Sequence, residues 1–514
     1  MKRNIELVKA ARLGDLEKVK NILETTEKFE HNELNIAMHY AFMKGYRDII
    51  KLLIVYGAAL HKRLDSIDSR NGEGELDRLL IFFSKNSDLE MVELLIDSGA
   101  NVNIEYTNRM TALMYASNSG NFDMVKLLID SGADINIENE KGKTAFIYAL
   151  MNGNLEIVKL FLNIGIDINK EYANGITALV YALRKSHLEI VKLLIDNGAD
   201  VNIIRKVFNK KTALMYASEN GHLDMVKFLI SQGADVNEKE KDFEEKTALM
   251  YASENGHLDI AEFLISQGAD INANEKDWNR ETALMYASKN GHLDLVKFLI
   301  SKGANINVKT GDSVSKTALM YASENGHLDI VEFLISQGAD SYLVVETAAG
   351  NGHLDIVKFL ISKKIDGFDN PLSSAAGNGH LDIVKFLISK KIDGFDNPLS
   401  SAAGNGHLDI VEFLISQGYN DSYMALQFAS RNGYLEVVNY LLDKGANINS
   451  SSKLSGVTAL MYAANNGHLD IVKLLISRGA DINIKDKKGQ TALYYALSKG
   501  HSEVAEFLKS KGAK

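Results

Sequence analysis

The sequence predicts an all-α fold, a solenoid in which pairs of short helices repeat along 514 residues. A run of Thr-Ala-Leu-Met-Tyr-Ala begins at Thr111, Thr212, Thr247, Thr282, Thr317 and Thr458. A second run begins Gly-His-Leu-Asp, and in the middle of the chain its histidine recurs every 35 residues, at His222, His257, His292 and His327. A single core stops growing at roughly 250–300 residues, so a chain of this length with a fixed period favours a repeat array.

Each repeat is predicted to contain two helices. The threonine is a favourable N-cap because its hydroxyl can accept a hydrogen bond from a first-turn amide. Gly221 and its equivalents are expected to end the first helix, since glycine tolerates the left-handed conformation. The second helix carries apolar residues at helical spacing, and Gly233 ends it. Two such helices cannot bury an apolar face alone, so they must stack on their neighbours.

Composition and charge argue against several classes of function. A net charge of -10 argues against nucleic acid or an anionic membrane as the partner. The chain has no cysteine, which rules out disulfides and thiolate metal sites and fits a reducing compartment. Neither a signal peptide nor a run of about 18 apolar residues is present. We therefore expect an intracellular, cytoplasmic monomer.

No constellation of residues indicates catalysis, a cofactor or a metal. Ten histidines share one repeat position: His187, His222, His257, His292, His327, His353, His380, His407, His468 and His501. A zinc site needs three or four ligands around one ion, whereas these lie a repeat apart, so a structural bond in the turn between helices is favoured. Carboxylates such as Asp224 and Asp259 recur where the dipole of the second helix favours them. The sequence predicts that the protein is not an enzyme.

The repeat resembles the ankyrin repeat, and the resemblance covers nearly the whole chain. Thr-Ala-Leu-Met-Tyr-Ala stands where that family has Thr-Pro-Leu-His-x-Ala, and the Gly-His and Gly-Ala-Asp-Val-Asn runs also match. Alanine and methionine depart from the family pattern, and Pro371 and Pro398 restore the proline twice. The resemblance implies about 16 repeats, short β-hairpin fingers between them, and a concave side lined by the fingers and first helices.

The function that this resemblance implies is a non-catalytic scaffold that binds one or more partner proteins through its concave face and finger tips. The Lys-, Asn- and Ile-rich composition is similar to that of ankyrin proteins of large DNA viruses and intracellular bacteria, which implies action on host proteins. The alternative is an adaptor that recruits a host protein to other machinery, such as a ubiquitin ligase. An adaptor usually carries an additional recruiting module, and the sequence shows none.

The spacing of the repeats divides the chain into zones. The expected zones are an N-terminal capping repeat at 1–33, standard repeats at 34–205 with an irregular loop near 61–75, long-finger repeats of 35 residues at 206–340, short repeats of 27 residues at 341–417, standard repeats at 418–490 and a C-terminal capping repeat at 491–514. Polar residues at positions that are apolar elsewhere indicate the caps. The short repeats lack room for a finger, so they are predicted to be a spacer or a bend, with a tight turn at 363–370.

The candidate partner-binding residues are Phe208, Phe243, Trp278, Arg205, Lys206, Tyr106 and Tyr172. The first three stand 35 residues apart and four before a threonine, while the two tyrosines stand five before theirs. The two cations make the first long finger basic. Exposed aromatic residues are enriched at interface hot spots, although a ladder of stacked fingers is a compatible alternative. We expect the main partner to dock across the fingers near 204–282.

Tyrosines also recur on the first helices, at Tyr115, Tyr216, Tyr251, Tyr286, Tyr321 and Tyr462. Neighbouring leucine and methionine already supply a core, so these rings are expected mainly to pack, with their hydroxyls in solvent.

Overall fold

The structure is a computed structural model that describes residues 2–26, 31–56, 75–172, 176–201, 211–240, 245–274, 280–365, 370–392, 396–452 and 454–514. These residues contain 32 α-helices, two to a repeat, which confirms the predicted all-α fold of about 16 repeats. The chain divides into two compact halves, an N-terminal half (Met1–Ala248) and a C-terminal half (Leu249–Lys514). Within the described residues, no helix has the length and apolar character that crossing a membrane requires.

The helices of the N-terminal half are α1 (Lys2–Leu13), α2 (Leu16–Thr25), α3 (His31–Lys44), α4 (Arg47–Val55), α5 (Glu75–Lys85), α6 (Leu89–Asp97), α7 (Ala112–Ser119), α8 (Phe122–Asp130), α9 (Ala145–Met151), α10 (Leu155–Asn163), α11 (Ala178–Arg184), α12 (Leu188–Asp196), α13 (Ala213–Glu219) and α14 (Leu223–Ser231). Helix α15 (Ala248–Glu254) begins at the last residue of that half. From α7 onward, each first helix packs on the first helix of the next repeat in this half, and each second helix on the next second helix.

The helices of the C-terminal half after α15 are α16 (Leu258–Ser266), α17 (Ala283–Lys289), α18 (Leu293–Ser301), α19 (Ala318–Glu324), α20 (Leu328–Ser336), α21 (Val344–Gly350), α22 (Leu354–Ser362), α23 (Pro371–Gly377), α24 (Leu381–Ser389), α25 (Pro398–Gly404), α26 (Leu408–Ser416), α27 (Ser422–Asn432), α28 (Leu435–Asp443), α29 (Ala459–Asn465), α30 (Leu469–Ser477), α31 (Ala492–Ser498) and α32 (Ser502–Ser510). They stack in the same manner, first helix on first helix and second on second.

The helix boundaries follow the local chemistry that the sequence predicts. The Thr282 hydroxyl accepts a hydrogen bond from the Met285 N–H at 3.3 Å, which confirms the N-cap. Gly221 and Gly233 follow the first and second helices of their repeat with φ of 76° and 87°, the left-handed region that glycine adopts without a steric penalty. The predicted helix ends are therefore confirmed.

The first helices are too short to be stable alone. Helix α17 has seven residues, and six of them, from Ala283 to Ser288, are buried. Isolated helices shorter than about 12 residues are marginal in water. The neighbouring second helix α18 buries Leu295, Val296 and Leu299, and burying such a side chain fully stabilises a protein by about 1.5–3 kcal/mol. The stability of each repeat therefore comes from packing on its neighbours.

Each described finger is closed by one or a few backbone bonds, not by a long β-ladder. In a standard finger the Tyr106 N–H donates to the Met110 carbonyl at 2.9 Å, and in a long finger the Glu240 N–H donates to the Lys246 carbonyl at 3.0 Å. The bridges that form are isolated antiparallel pairs. The closing residue stands five before the threonine in the standard finger and seven before it in the long finger. The two additional residues of a long repeat thus lie in the loop between the two residues of the closing pair.

Asparagine side chains join the roots of successive fingers. In the C-terminal half, Asn272 accepts from the Asn305 N–H at 2.8 Å and donates to the Gly303 carbonyl at 3.3 Å. In the N-terminal half, Asn169 accepts from the Asp200 N–H at 3.1 Å and donates to the Gly198 carbonyl at 3.0 Å. A single amide therefore satisfies two backbone groups of the next repeat, which fixes the spacing of the fingers.

The short repeats keep the helix pair and change its termini. Helices α23 and α25 begin with Pro371 and Pro398, where the missing N–H of proline costs no helical hydrogen bond. Lys364 stands at the position that glycine holds in longer repeats and has φ of 52°. Residues 366–369 of the predicted turn at 363–370 lie outside the described residues. Nearly all of the predicted loop at 61–75 lies outside them too.

Candidate protein-binding face

Two tyrosines of the first helices, Tyr321 and Tyr216, pack their rings between cations. In the C-terminal half, Tyr321 is 9% exposed. Lys289 of the preceding repeat and Lys316 of its own repeat each place Nζ 5.3 Å from the ring centroid. In the N-terminal half, Arg184 and Lys211 lie over the ring of Tyr216 in the same way, at 5.4 and 5.9 Å. This geometry is consistent with the expectation that the rings pack.

The hydroxyls of Tyr321 and Tyr216 are bonded to protein groups, which corrects the expectation that they face solvent. The Tyr321 hydroxyl donates to the Glu281 carboxylate of the preceding repeat. The Tyr216 hydroxyl accepts from the guanidinium of Arg184 at 3.2 Å. Burial, followed by the bond to Glu281, raises the pKa of Tyr321. Each hydroxyl therefore links two repeats, a role that depends on which residue the preceding repeat supplies.

Two charged positions flank the first helices of the repeats that begin at Thr212, Thr247, Thr282 and Thr317, and the order of their signs changes along the chain. The residue before the threonine and the seventh residue after it form the pairs Lys211–Glu219 at 2.9 Å and Lys316–Glu324 at 2.7 Å. The repeat that begins at Thr282 lies between these two in the sequence. It has the reverse order, with Glu281 before the threonine and Lys289 after it. Glu281 is 8% exposed. The helix pair is the same in these repeats, whereas the charges at the two flanking positions differ.

The two described candidate residues occupy finger bases. Tyr106 is 41% exposed, whereas Tyr172 is 4% exposed. Burial raises the pKa of Tyr172 to about 12, and its N–H closes the finger by donating to the Ile176 carbonyl at 3.0 Å. The ring of Tyr172 is therefore buried, while the ring of Tyr106 is accessible. The other candidates lie outside the described residues: Phe208, Phe243, Trp278, Arg205 and Lys206.

The repeated histidines bridge successive repeats. The Nε2 atom of His327 lies 3.1 Å from the Lys289 carbonyl oxygen, and that of His353 lies 3.0 Å from the Glu324 carbonyl oxygen. A protonated Nε2 donates to the end of the preceding first helix. The same bond is formed by His187, His292, His380, His407, His468 and His501. The structural interpretation is thus supported, although the bond reaches the preceding repeat and does not stay within the turn.

Among the residues that the structure describes, no group of three or more histidine, aspartate or glutamate side chains could hold a metal ion. Sequence reasoning missed the reversed pair Glu281 and Lys289. Comparing the two flanking positions across repeats would have found it, because every other residue of these first helices is nearly constant.

A family model described as ankyrin repeats (3 copies) matches the chain over residues 60–139, 79–172, 132–205, 202–275, 273–344, 342–397, 393–452 and 426–514. No curated protein matches it. The matched segments together span most of the chain, and they contain the finger bases, the tyrosine row and the bridging histidines.

Proposed function

The chain belongs to the ankyrin-repeat family, and we propose that it is a non-catalytic scaffold that binds a partner protein through its fingers and first-helix face. The observation that carries this proposal is the change of charge on a constant frame. Lys211–Glu219 and Glu281–Lys289 occupy the same two positions with opposite order. Specificity needs such variation, because a partner with the wrong charge is repelled at the position after the threonine, where Lys289 is exposed.

The finger aromatics are the proposed anchors. Phe243 lies in sequence between Glu240 and Lys246, whose backbones close the finger. Trp278 lies between the bridged residues Asn274 and Thr282. In sequence, both positions therefore belong to finger segments and lie outside the helices. Aromatic residues dominate interface hot spots, and Phe208 with Arg205, Lys206 and the exposed Tyr106 would extend the contact.

Replacing both anchors, Phe243→Ala with Trp278→Ala, is expected to weaken partner binding by several-fold or more. The melting curve should barely move, because neither residue belongs to a first or second helix. Binding is measured by titrating the isolated partner into the full-length protein, and unfolding is followed by circular dichroism. The matched control is Tyr494→Ala, which removes a half-exposed aromatic from the last repeat. Unchanged affinity in the double variant would show that the finger aromatics are not anchors.

The adaptor role is a second candidate, and one observation favours it. An adaptor needs two docking surfaces that can be occupied together. A cavity in the short-repeat zone, between α25 and α27, offers a surface built from residues other than the fingers. Recovery of two proteins in one complex, each lost by changing a different surface, would support an adaptor.

A further inference from the structure

A cavity of about 530 Å³ opens on the first-helix face between α25 and α27. Its walls include Ser400, Ser401 and Gly404 on one side, and Met424, Phe428 and Arg431 on the other. Helix α25 reads Pro-Leu-Ser-Ser-Ala-Ala-Gly where α19 reads Ala-Leu-Met-Tyr-Ala-Ser-Glu. A methionine, a tyrosine and a glutamate are thus replaced by two serines and a glycine, and the lost side chains leave the space.

The cavity contains a buried polar atom without a partner. Ser400 is 5% exposed, and its hydroxyl has no hydrogen-bond partner within the described residues. Its backbone N–H is already used, because it donates to the Asn397 side chain at 3.1 Å. A buried hydroxyl that bonds neither protein nor solvent is costly. Because this oxygen is fully covered in the structure, it is not itself a contact for a ligand.

Arg431 is a cation that does not make the ring contact its equivalents make. The equivalent residues Arg184 and Lys289 lie over the tyrosine of the following repeat, at 5.4 and 5.3 Å from the ring centroid. Within the described part of the chain, Arg431 forms no ion pair and lies over no aromatic ring. Its side chain is exposed at the cavity rim. An exposed guanidinium without an ion pair can bind a carboxylate, because its planar group forms two parallel hydrogen bonds to the two oxygens.

The remaining walls indicate a polypeptide. Phe428 and Met424 offer apolar surface, and the exposed carboxylate of Asp396 offers an acceptor for main-chain N–H groups. The rim is open, whereas small-molecule sites usually enclose most of their ligand. The short repeats have eight fewer residues than the 35-residue repeats, at the place where the longer repeats carry a finger. An extended chain can therefore cross this part of the face.

We infer that this cavity binds an extended acidic segment of a protein partner, with a carboxylate on Arg431 and an apolar side chain against Phe428. The site does not use the long fingers, so it is independent of the proposed anchors there. A polyanion such as nucleic acid is disfavoured because Arg431 is the one cation among the described residues that line the cavity, whereas a nucleic acid needs several cations along its backbone. The short repeats are then a docking surface, where the sequence predicted a spacer.

The test uses the full-length protein and an array of ten-residue peptides that carry a fixed central Glu, Gln or Lys with an apolar residue two positions away. Glu peptides should bind, and their Gln counterparts should bind at least fivefold more weakly. For the best Glu peptide, Arg431→Gln and Ser401→Tyr should each weaken binding at least tenfold. The first removes the cation, and the second restores the tyrosine that fills this position in other repeats.

The control is Lys473→Gln, which removes the same charge from an exposed position on α30, and it should leave peptide affinity unchanged. Circular dichroism establishes that each variant is folded. Phe243→Ala with Trp278→Ala should also leave peptide affinity unchanged, which separates this site from the finger anchors. Equal binding of Glu and Gln peptides, unchanged affinity in Arg431→Gln and Ser401→Tyr, or displacement of the peptide by an oligothymidine would each overturn the inference.

Discussion

Gly291→Ala is expected to lower the free energy of unfolding by about 2–5 kcal/mol, from a left-handed backbone penalty and an overpacked contact. Gly291 has φ of 81°, and a Cβ added there would lie 2.7 Å from Cε1 of His327 in the next repeat. The ring cannot retreat without breaking its bond to the Lys289 carbonyl. Denaturant unfolding of the full-length protein gives the loss, and hydrogen exchange should place it in the repeats on either side.

The chain provides a matched control in the same repeat. Gly303 has φ of 92°, and a Cβ added there would meet no heavy atom within 4 Å, so Gly303→Ala should cost only the backbone penalty, about 1–2 kcal/mol. In a His327→Ala background the clash is absent, so Gly291→Ala should there cost no more than Gly303→Ala does. If Gly291→Ala costs no more than Gly303→Ala, the close approach of histidine and glycine does not join these repeats.

Glu281→Lys is expected to lower the free energy of unfolding by about 3 kcal/mol, the effect of breaking a buried pair. Glu281 accepts from the buried Tyr321 hydroxyl. The substitution would leave that hydroxyl without its acceptor and would add a third cation to Lys289 and Lys316, which already face the ring. Denaturant unfolding measures the change.

The other repeats indicate a rescue for this variant. Adding Lys289→Glu restores the order Lys–Glu found at Lys316–Glu324. It also places a carboxylate at the position that Arg184 occupies in its own repeat. The side chain of Arg184 reaches the tyrosine hydroxyl of the next repeat from that position. The double variant should recover most of the lost stability, whereas Lys289→Glu alone should not stabilise the protein. A double variant as unstable as Glu281→Lys would show that the reversed pair is not interchangeable with the common one.

Local features were predictable from the sequence, because their causes lie within a few residues. Thr282 caps its helix and Gly233 ends another for reasons that single residues decide. Features that join repeats were not predictable, since they depend on the register of one repeat against the next. The bond from His327 to a neighbouring carbonyl and the burial of Tyr172 are of this kind.

The cavity had a signal that sequence reasoning did not use. Ser400 and Ser401 stand where Met320 and Tyr321 stand in a longer repeat. The missing fingers of the short repeats favoured the interpretation that these repeats are a spacer. The loss of large side chains from the first-helix face removes possible contacts with a partner, but it also creates space that a partner can enter. Which of these two effects dominates depends on the following helix, where Phe428 and Arg431 close the far wall.

The central claim is that partner proteins dock on the fingers and first-helix face. Crosslinking the intact protein in cell lysate with a lysine-reactive reagent, followed by mass spectrometry, tests it most directly. We expect reproducible crosslinks to partner proteins from finger lysines such as Lys239, Lys309 and Lys487, unchanged by nuclease treatment. The second-helix lysines Lys297, Lys358 and Lys473 are as accessible and should give few. Equal crosslinking from both sets, or capture that nuclease abolishes, would contradict the claim.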